Sequence, residues 1–142
     1  CWNWISKKNS NEKDIVIPEY DFAMKWNLAS DGNLWIRKPE SVNEVGCIHT
    51  CQGLDLDYVG VIVGLDFVIR NGKVITDPSK RAKTDTSLNG FIRDSRIDPV
   101  SAQKKAHQII KNTYRTLMTR GMKGCYVYFV DKETEDYFKS KI

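Results

Sequence analysis

The chain has 142 residues, of which 41% are hydrophobic and 28% charged, with a formal net charge of +4. That size suits one domain with its own core, and the composition excludes a disordered or fibrous chain. No apolar run approaches the ~20 residues of a membrane span, and no signal peptide opens the chain, so a cytoplasmic protein with reduced thiols is expected. The opening Cys1-Trp-Asn-Trp reads as an internal stretch of a longer protein.

In chain order, Asp14-Ile-Val-Ile-Pro18 predicts a short strand stopped by proline. Asp21 to Leu28 predicts one or two helical turns, Ser30-Asp31-Gly32-Asn33 a turn, and Leu34-Trp35-Ile36 a short strand halted before Pro39. Val45 to His49 predicts a short buried strand, followed by a polar connection over Thr50 to Asp57 with one helical turn. Tyr58 to Val63 is a β-branched apolar run, as in a strand covered on both faces of a parallel sheet.

Phe67–Arg70 and Lys73–Thr76 flank Asn71-Gly72, the preferred pair for a type I′ hairpin turn. Asp77 to Arg96 predicts a long exposed loop with a turn of helix near Leu88 to Arg93; loops of that length tend to be functional. Asp98 suits an N-cap and Pro99 the first helical position. The helix they open carries Ala102, Ala106, Ile109, Ile110, Thr113 and Leu117 on one face and ends near Arg120-Gly121. Tyr126 to Val130 predicts a buried strand and Asp131 to Lys141 a terminal helix. This order favours a three-layer α/β domain with a mainly parallel sheet and an added β-hairpin.

The charge is uneven. Between Arg70 and Arg120 stand twelve Lys or Arg against four Asp, a local +8 that leaves −4 for the rest. A basic half points toward a polyanion, and Lys80, Arg81 and Lys83 are candidate phosphate contacts. Trp26 and Trp35 are expected in the core. Cys47 and Cys51 have the spacing of half a zinc site, but no second pair exists and His107 is isolated, so no metal site is expected; Cys125 heads an apolar run as a buried thiol.

Two segments carry chemistry. The first is Cys47-Ile-His-Thr-Cys-Gln-Gly-Leu-Asp-Leu-Asp-Tyr-Val59. It gathers a His, a hydroxyl, an amide, a Gly and a carboxylate in a turn expected beyond the end of a strand, where open α/β sheets place ligands. Gly53 there would let the backbone approach a phosphate. The second is Asn112-Thr-Tyr-Arg-Thr-Leu-Met-Thr-Arg-Gly-Met-Lys-Gly-Cys-Tyr-Val-Tyr128, a helix ending on an arginine before a strand. A cation at a helix C-terminus is favoured by the dipole alone. A rigid guanidinium fork also suits the charge on a transferring phosphoryl group.

The first segment resembles motif V of superfamily 1 helicases, matching at His49, Gln52, Gly53 and Asp55, with Cys47 for the usual Thr and Asp55 for the usual Glu. The second resembles motif VI, matching at Leu117, Thr119 and Arg120, with Gly121 for the usual Ala. Together with Cys1-Trp-Asn-Trp, Lys25-Trp-Asn27 and Asp77-Pro-Ser-Lys80, nearly the whole chain resembles the Schlafen-group-3-type DNA/RNA helicase-like family of bacterial proteins.

The resemblance implies a single RecA-like domain over residues 1–142, the second motor domain of a nucleic-acid-dependent ATPase. In that role Arg120 would be the catalytic finger on the γ-phosphate, and Gln52, Gly53, Asp55 and Thr119 would face the nucleotide. His49, Thr50, Lys80, Arg81 and Lys83 would face DNA or RNA. No Gly-x-x-x-x-Gly-Lys-Ser/Thr occurs, so the phosphate cradle and the Mg2+ ligands for ATP are expected in an N-terminal RecA-like domain of the same protein, and this chain alone should bind ATP weakly or not at all. Two other readings stay open: an ATP-switched nucleic-acid-binding or signalling module without unwinding, and a metal-dependent nuclease or deaminase using His49, Asp55 and Asp57.

Overall fold

A computed structural model describes residues 13–26, 35–51, 53–82 and 85–142. The chain divides into two compact units, one holding the described residues up to Gly53 and the other Leu54–Ile142. In the first unit, β1 (Ile15–Ile17) runs antiparallel to β2 (Phe22–Trp26), with Ile15 opposite Met24 and Ile17 opposite Phe22. A 3-10 turn at Pro18–Tyr20 and a left-handed Asp21 (φ 48) reverse the chain between them, a conformation Asp tolerates through its short polar side chain. The helical turns expected over Asp21 to Leu28 are therefore a strand up to Trp26; Asn27 and Leu28, like the turn expected at Ser30–Asn33, lie outside the described residues.

The two-residue β3 (Glu44–Val45) pairs parallel with Lys25 and Trp26. The strand expected over Val45 to His49 is thus cut short, and Ile48–Cys51 forms a single helical turn, α1. Trp35 lies in a 3-10 turn rather than the expected strand. It is buried, as expected of a core residue, and donates from Nε1 to Glu44 Oε2 at 2.6 Å. Trp26 is half-buried.

The second unit holds β4 (Leu56–Val63), β5 (Phe67–Arg70), β6 (Lys73–Thr76), α2 (Phe91–Ile97), α3 (Pro99–Met118), β7 (Gly121–Phe129) and α4 (Lys132–Lys139). The hairpin β5–β6 turns through Asn71 (φ 51) and Gly72 (φ 72), the paired positive φ angles of a type I′ turn. Asp98 accepts from Ser101 N–H at 3.0 Å, capping α3 as its side chain predicts. Asp131 does the same for α4 at Thr134. Its bidentate pair with Arg70 (2.6 and 2.7 Å), with help from Thr134, holds its carboxyl well below the usual carboxylate range. That pair and Thr134, which accepts from Ile69 N–H at 2.9 Å, tie the hairpin to α4.

Strands β4 and β7 run parallel, with Val59 opposite Cys125 and Val63 opposite Phe129. The core lies on one side of this pair, where Val61, Val63, Phe67, Ile69 and Phe129 pack with Ile110 and Tyr114 of α3. Tyr58 and Tyr126 point the other way and stay mostly exposed. The strand expected to be covered on both faces is therefore uncovered on one face at its amino-terminal half. Among the described residues the fold is mixed α/β, with one three-stranded and two two-stranded sheets rather than one wide parallel sheet.

The long loop expected from Asp77 is largely structured. Short 3-10 turns at Pro78–Lys80 and Thr86–Leu88 start on side-chain caps from Asp77 and Asp85, and α2 follows. Here Arg81 is buried: it donates from Nε and Nη2 to Asp85 at 2.9 and 2.6 Å and lies 3.8 Å from Asp66, which is fully buried. Tyr114 donates to Asp66 and accepts from Gly64 N–H at 3.1 Å. Arg81 is thus a structural cation spent on two carboxylates, which corrects its assignment as a surface phosphate contact.

Candidate functional site

The second unit brings together the ends of both chemistry-bearing segments. Strands β4 and β7 begin side by side, with Leu56 N–H donating to Arg120 O at 3.0 Å. The helix α3 delivers Arg120 to this point because its last turn leaves carbonyls without helical partners. Thr119 caps them, its hydroxyl lying 2.9 Å from Arg115 O and 3.2 Å from Thr116 O. Arg120 Nε donates to Thr116 O at 3.2 Å. The same guanidinium reaches from Nη1 to Leu54 O at 3.4 Å and lies 3.9 Å from Asp55 Oδ1. Arg120 therefore has the placement that a helix dipole alone rewards, and it also clamps the loop before β4.

The register makes room for this clamp. Leu56 pairs with Gly121, but Tyr58 pairs with Gly124, so β7 bulges by one residue at its start. A Cβ on Gly121 would lie 2.1 Å from Gly124 O and 3.0 Å from Val59 Cγ1. The Gly121 that departs from the helicase motif is thus required by the bulge itself.

Asp55 is exposed beside Arg120, its side chain 73% accessible, while Asp57 is engaged by Lys123 at 2.8 Å. Both carboxylates and Arg120 sit at the amino ends of the parallel pair, not beyond the carboxyl end of a strand. The carboxyl end of β4 carries the closed Asp66–Tyr114–Arg81 cluster, which sequence reasoning missed; an acidic residue just after a buried strand is its only local signal.

In the first unit, α1 holds His49 exposed and Thr50 with its hydroxyl 3.0 Å from Cys47 O. Gly53 takes φ 75, and a Cβ there would meet nothing within 4 Å. This open, left-handed backbone suits close approach of another group. Gln52 and Lys83 lie outside the described residues, and Lys80 is exposed. Cys47 and Cys51 are free thiols, and burial pushes that of Cys51 up; Cys125 is half-buried and also raised by burial. Among the described residues no group of three His, Cys, Asp or Glu side chains could hold a metal ion, and no helix is long and apolar enough to cross a membrane.

The chain is 29% identical over 120 residues to an uncharacterized protein of Saccharomyces cerevisiae, an alignment covering 82% of this chain and 25% of that protein. It thus spans about a quarter of the length of the curated relative it matches. No solved structure matches it. Residues 1–131 match the family described as Schlafen group 3, DNA/RNA helicase domain, which takes in both units and both chemistry-bearing segments, and the chain belongs to that helicase-like family.

Proposed function

We propose that this chain is the second RecA-like half of a nucleic-acid-dependent ATPase and closes onto a P-loop domain of the same protein. The observation that supports this most is the clamp of Arg120 on Leu54 and Asp55, which couples the end of one motif to the loop of the other. In this reading β4, α3 and β7 are the part of a RecA-like sheet that carries the finger. ATP, when bound, presents a γ-phosphoryl group whose charge must be neutralised as it transfers. Arg120 supplies that neutralisation from across the cleft.

Magnitudes favour release of the clamp. Its bonds are 3.2 and 3.4 Å to backbone carbonyls, each contributing about 1 kcal/mol net. An arginine finger contributes ~10³ to 10⁵ in rate, or about 4–7 kcal/mol. Two bonds of that size are therefore too weak to keep Arg120 from serving the transition state. As Arg120 leaves, Leu54 and Asp55 lose its hydrogen bond and charge, so nucleotide state is transmitted to the loop before β4. Asp55 then meets the ribose or the coupling loop, and Thr119 borders the nucleotide. His49, Thr50 and Lys80 face the nucleic-acid backbone. In this reading the Mg2+ ligands belong to the P-loop domain.

The test is ATP hydrolysis by the full-length protein, with and without single-stranded DNA or RNA, for wild type and Arg120→Ala. Strand-stimulated turnover that collapses in the variant while ATP still binds supports the reading. Equal turnover refutes it. Turnover without strand separation would make the protein a switch rather than a motor.

A further inference from the structure

The longest helix, α3, contains no Asp or Glu in its 20 residues, yet it carries Lys104, Lys105, Lys111 and Arg115. All four side chains are exposed. None makes a salt bridge among the described residues, whereas the exposed lysines of α4 and β7 are paired: Lys132 with Glu135 and Asp136, Lys139 with Glu135, Lys123 with Asp57.

At about 100° per residue, Lys104, Lys111 and Arg115 fall within ~40° of one another around the helix, with Gln108 beside them. The opposite side, through Ala102, Ala106, Ile110 and Thr113, is buried. The stripe is about 16 Å long at 1.5 Å rise per residue, enough to face several consecutive phosphates of a strand. The helix dipole accounts for Arg115 near the C-terminus but not for Lys104 and Lys105, which stand in the first half of the helix. Four cations without a counter-charge repel one another, and helical spacing at i, i+4 makes that unfavourable unless an anion is recruited.

We infer that the outer face of α3 is a phosphate-tracking surface on which Lys104, Lys111 and Arg115 follow the backbone of a nucleic-acid strand. This deepens the nucleic-acid reading above and rests on it. The surface is separate from the Arg120 clamp. It reads charge rather than bases, because the stripe offers ammonium and guanidinium groups and no aromatic side chain.

The experiment measures binding of fluorescein-labelled oligo(dT) and oligo(rU) to the full-length protein by anisotropy across a salt titration. The proteins are wild type, a triple variant (Lys104→Gln, Lys111→Gln, Arg115→Gln), a charge-keeping triple variant (Lys104→Arg, Lys111→Arg, Arg115→Lys) and a control (Lys73→Gln, Lys123→Gln, Lys141→Gln). Loss of three phosphate contacts to a single strand flattens the slope of log affinity against log salt by about 2. Between 50 and 200 mM salt, wild type then loses about 20-fold more affinity than the neutral triple variant. The charge-keeping variant and the control keep the wild-type slope. If wild type binds the strand and the neutral triple variant keeps its affinity and slope, the stripe is refuted while the nucleic-acid reading stands. Should wild type bind neither strand, or bind only anionic vesicles, the nucleic-acid reading falls and the stripe falls with it.

Discussion

Replacing Arg81 by Gln separates a structural cation from a nucleic-acid contact. The Arg81 side chain is 2% exposed and lies between Asp85, 6% exposed, and the fully buried Asp66. Removing it leaves the Asp66 and Asp85 carboxylates in a buried site without the cation that lies beside both. Breaking a buried pair from one side costs about 3–5 kcal/mol, chiefly because the charge left behind has no compensation. For a chain of this size that lowers Tm by about 10–15 °C. Lys80→Gln is the matched control, because an exposed neighbour shifts stability by about 0.5 kcal/mol or less. Thermal and urea unfolding followed by circular dichroism reads both. If Arg81→Gln unfolds with wild type and instead weakens oligonucleotide binding, the buried assignment is wrong and Arg81 belongs with Lys80 on the surface.

Three other substitutions have defined outcomes. Gly121→Ala forces the bulge of β7 open, because its Cβ meets a backbone carbonyl that cannot rotate away; overpacking of this kind costs about 1–3 kcal/mol in urea unfolding. Thr134→Val leaves the Ile69 N–H buried without its acceptor, and the same assay should read a loss of about 1–3 kcal/mol. Burial raises the carboxyl of Asp85, but bonds from Ser87 and the charge of Arg81 outweigh this and lower it from 3.8 to about 2. Its contribution is therefore complete above its unfolded value near 3.8 and is lost as pH falls toward 2. In Asp85→Asn that part of the acid dependence of Tm should be absent.

Legibility in the sequence tracked how local each determinant was. Asn71-Gly72 and Asp98-Pro99 carry their own backbone instructions, and the hairpin and α3 form where those residues predict. Phe22-Ala-Met-Lys-Trp26 has helix formers and no β-branched residue, so it reads as helix; pairing with Ile15–Ile17 decides otherwise, as strand preference depends on cross-strand neighbours. The burial of Arg81 depends on Asp66 and Tyr114, which are remote in sequence, and no pattern around Lys80-Arg81 reveals it. The pairing of Arg120 with the loop at Leu54–Asp55 is likewise a consequence of two parallel strands starting together. The motif resemblance pointed to both residues, but only the register of β4 against β7 explains why Gly121 follows Arg120.

The proposed role of Arg120 requires it to leave its carbonyl clamp for the transferring phosphoryl group. Its most direct test compares ADP with ADP–aluminium fluoride, a transition-state mimic, binding to the full-length protein as wild type and Arg120→Ala. Mimics gain from interactions made only in the transition state, by ~10² or more. ADP affinity should be unchanged within about twofold, while the variant binds the mimic at least ~100-fold more weakly. Equal loss for both ligands, or for neither, would contradict it and leave Arg120 as the cap of a helix.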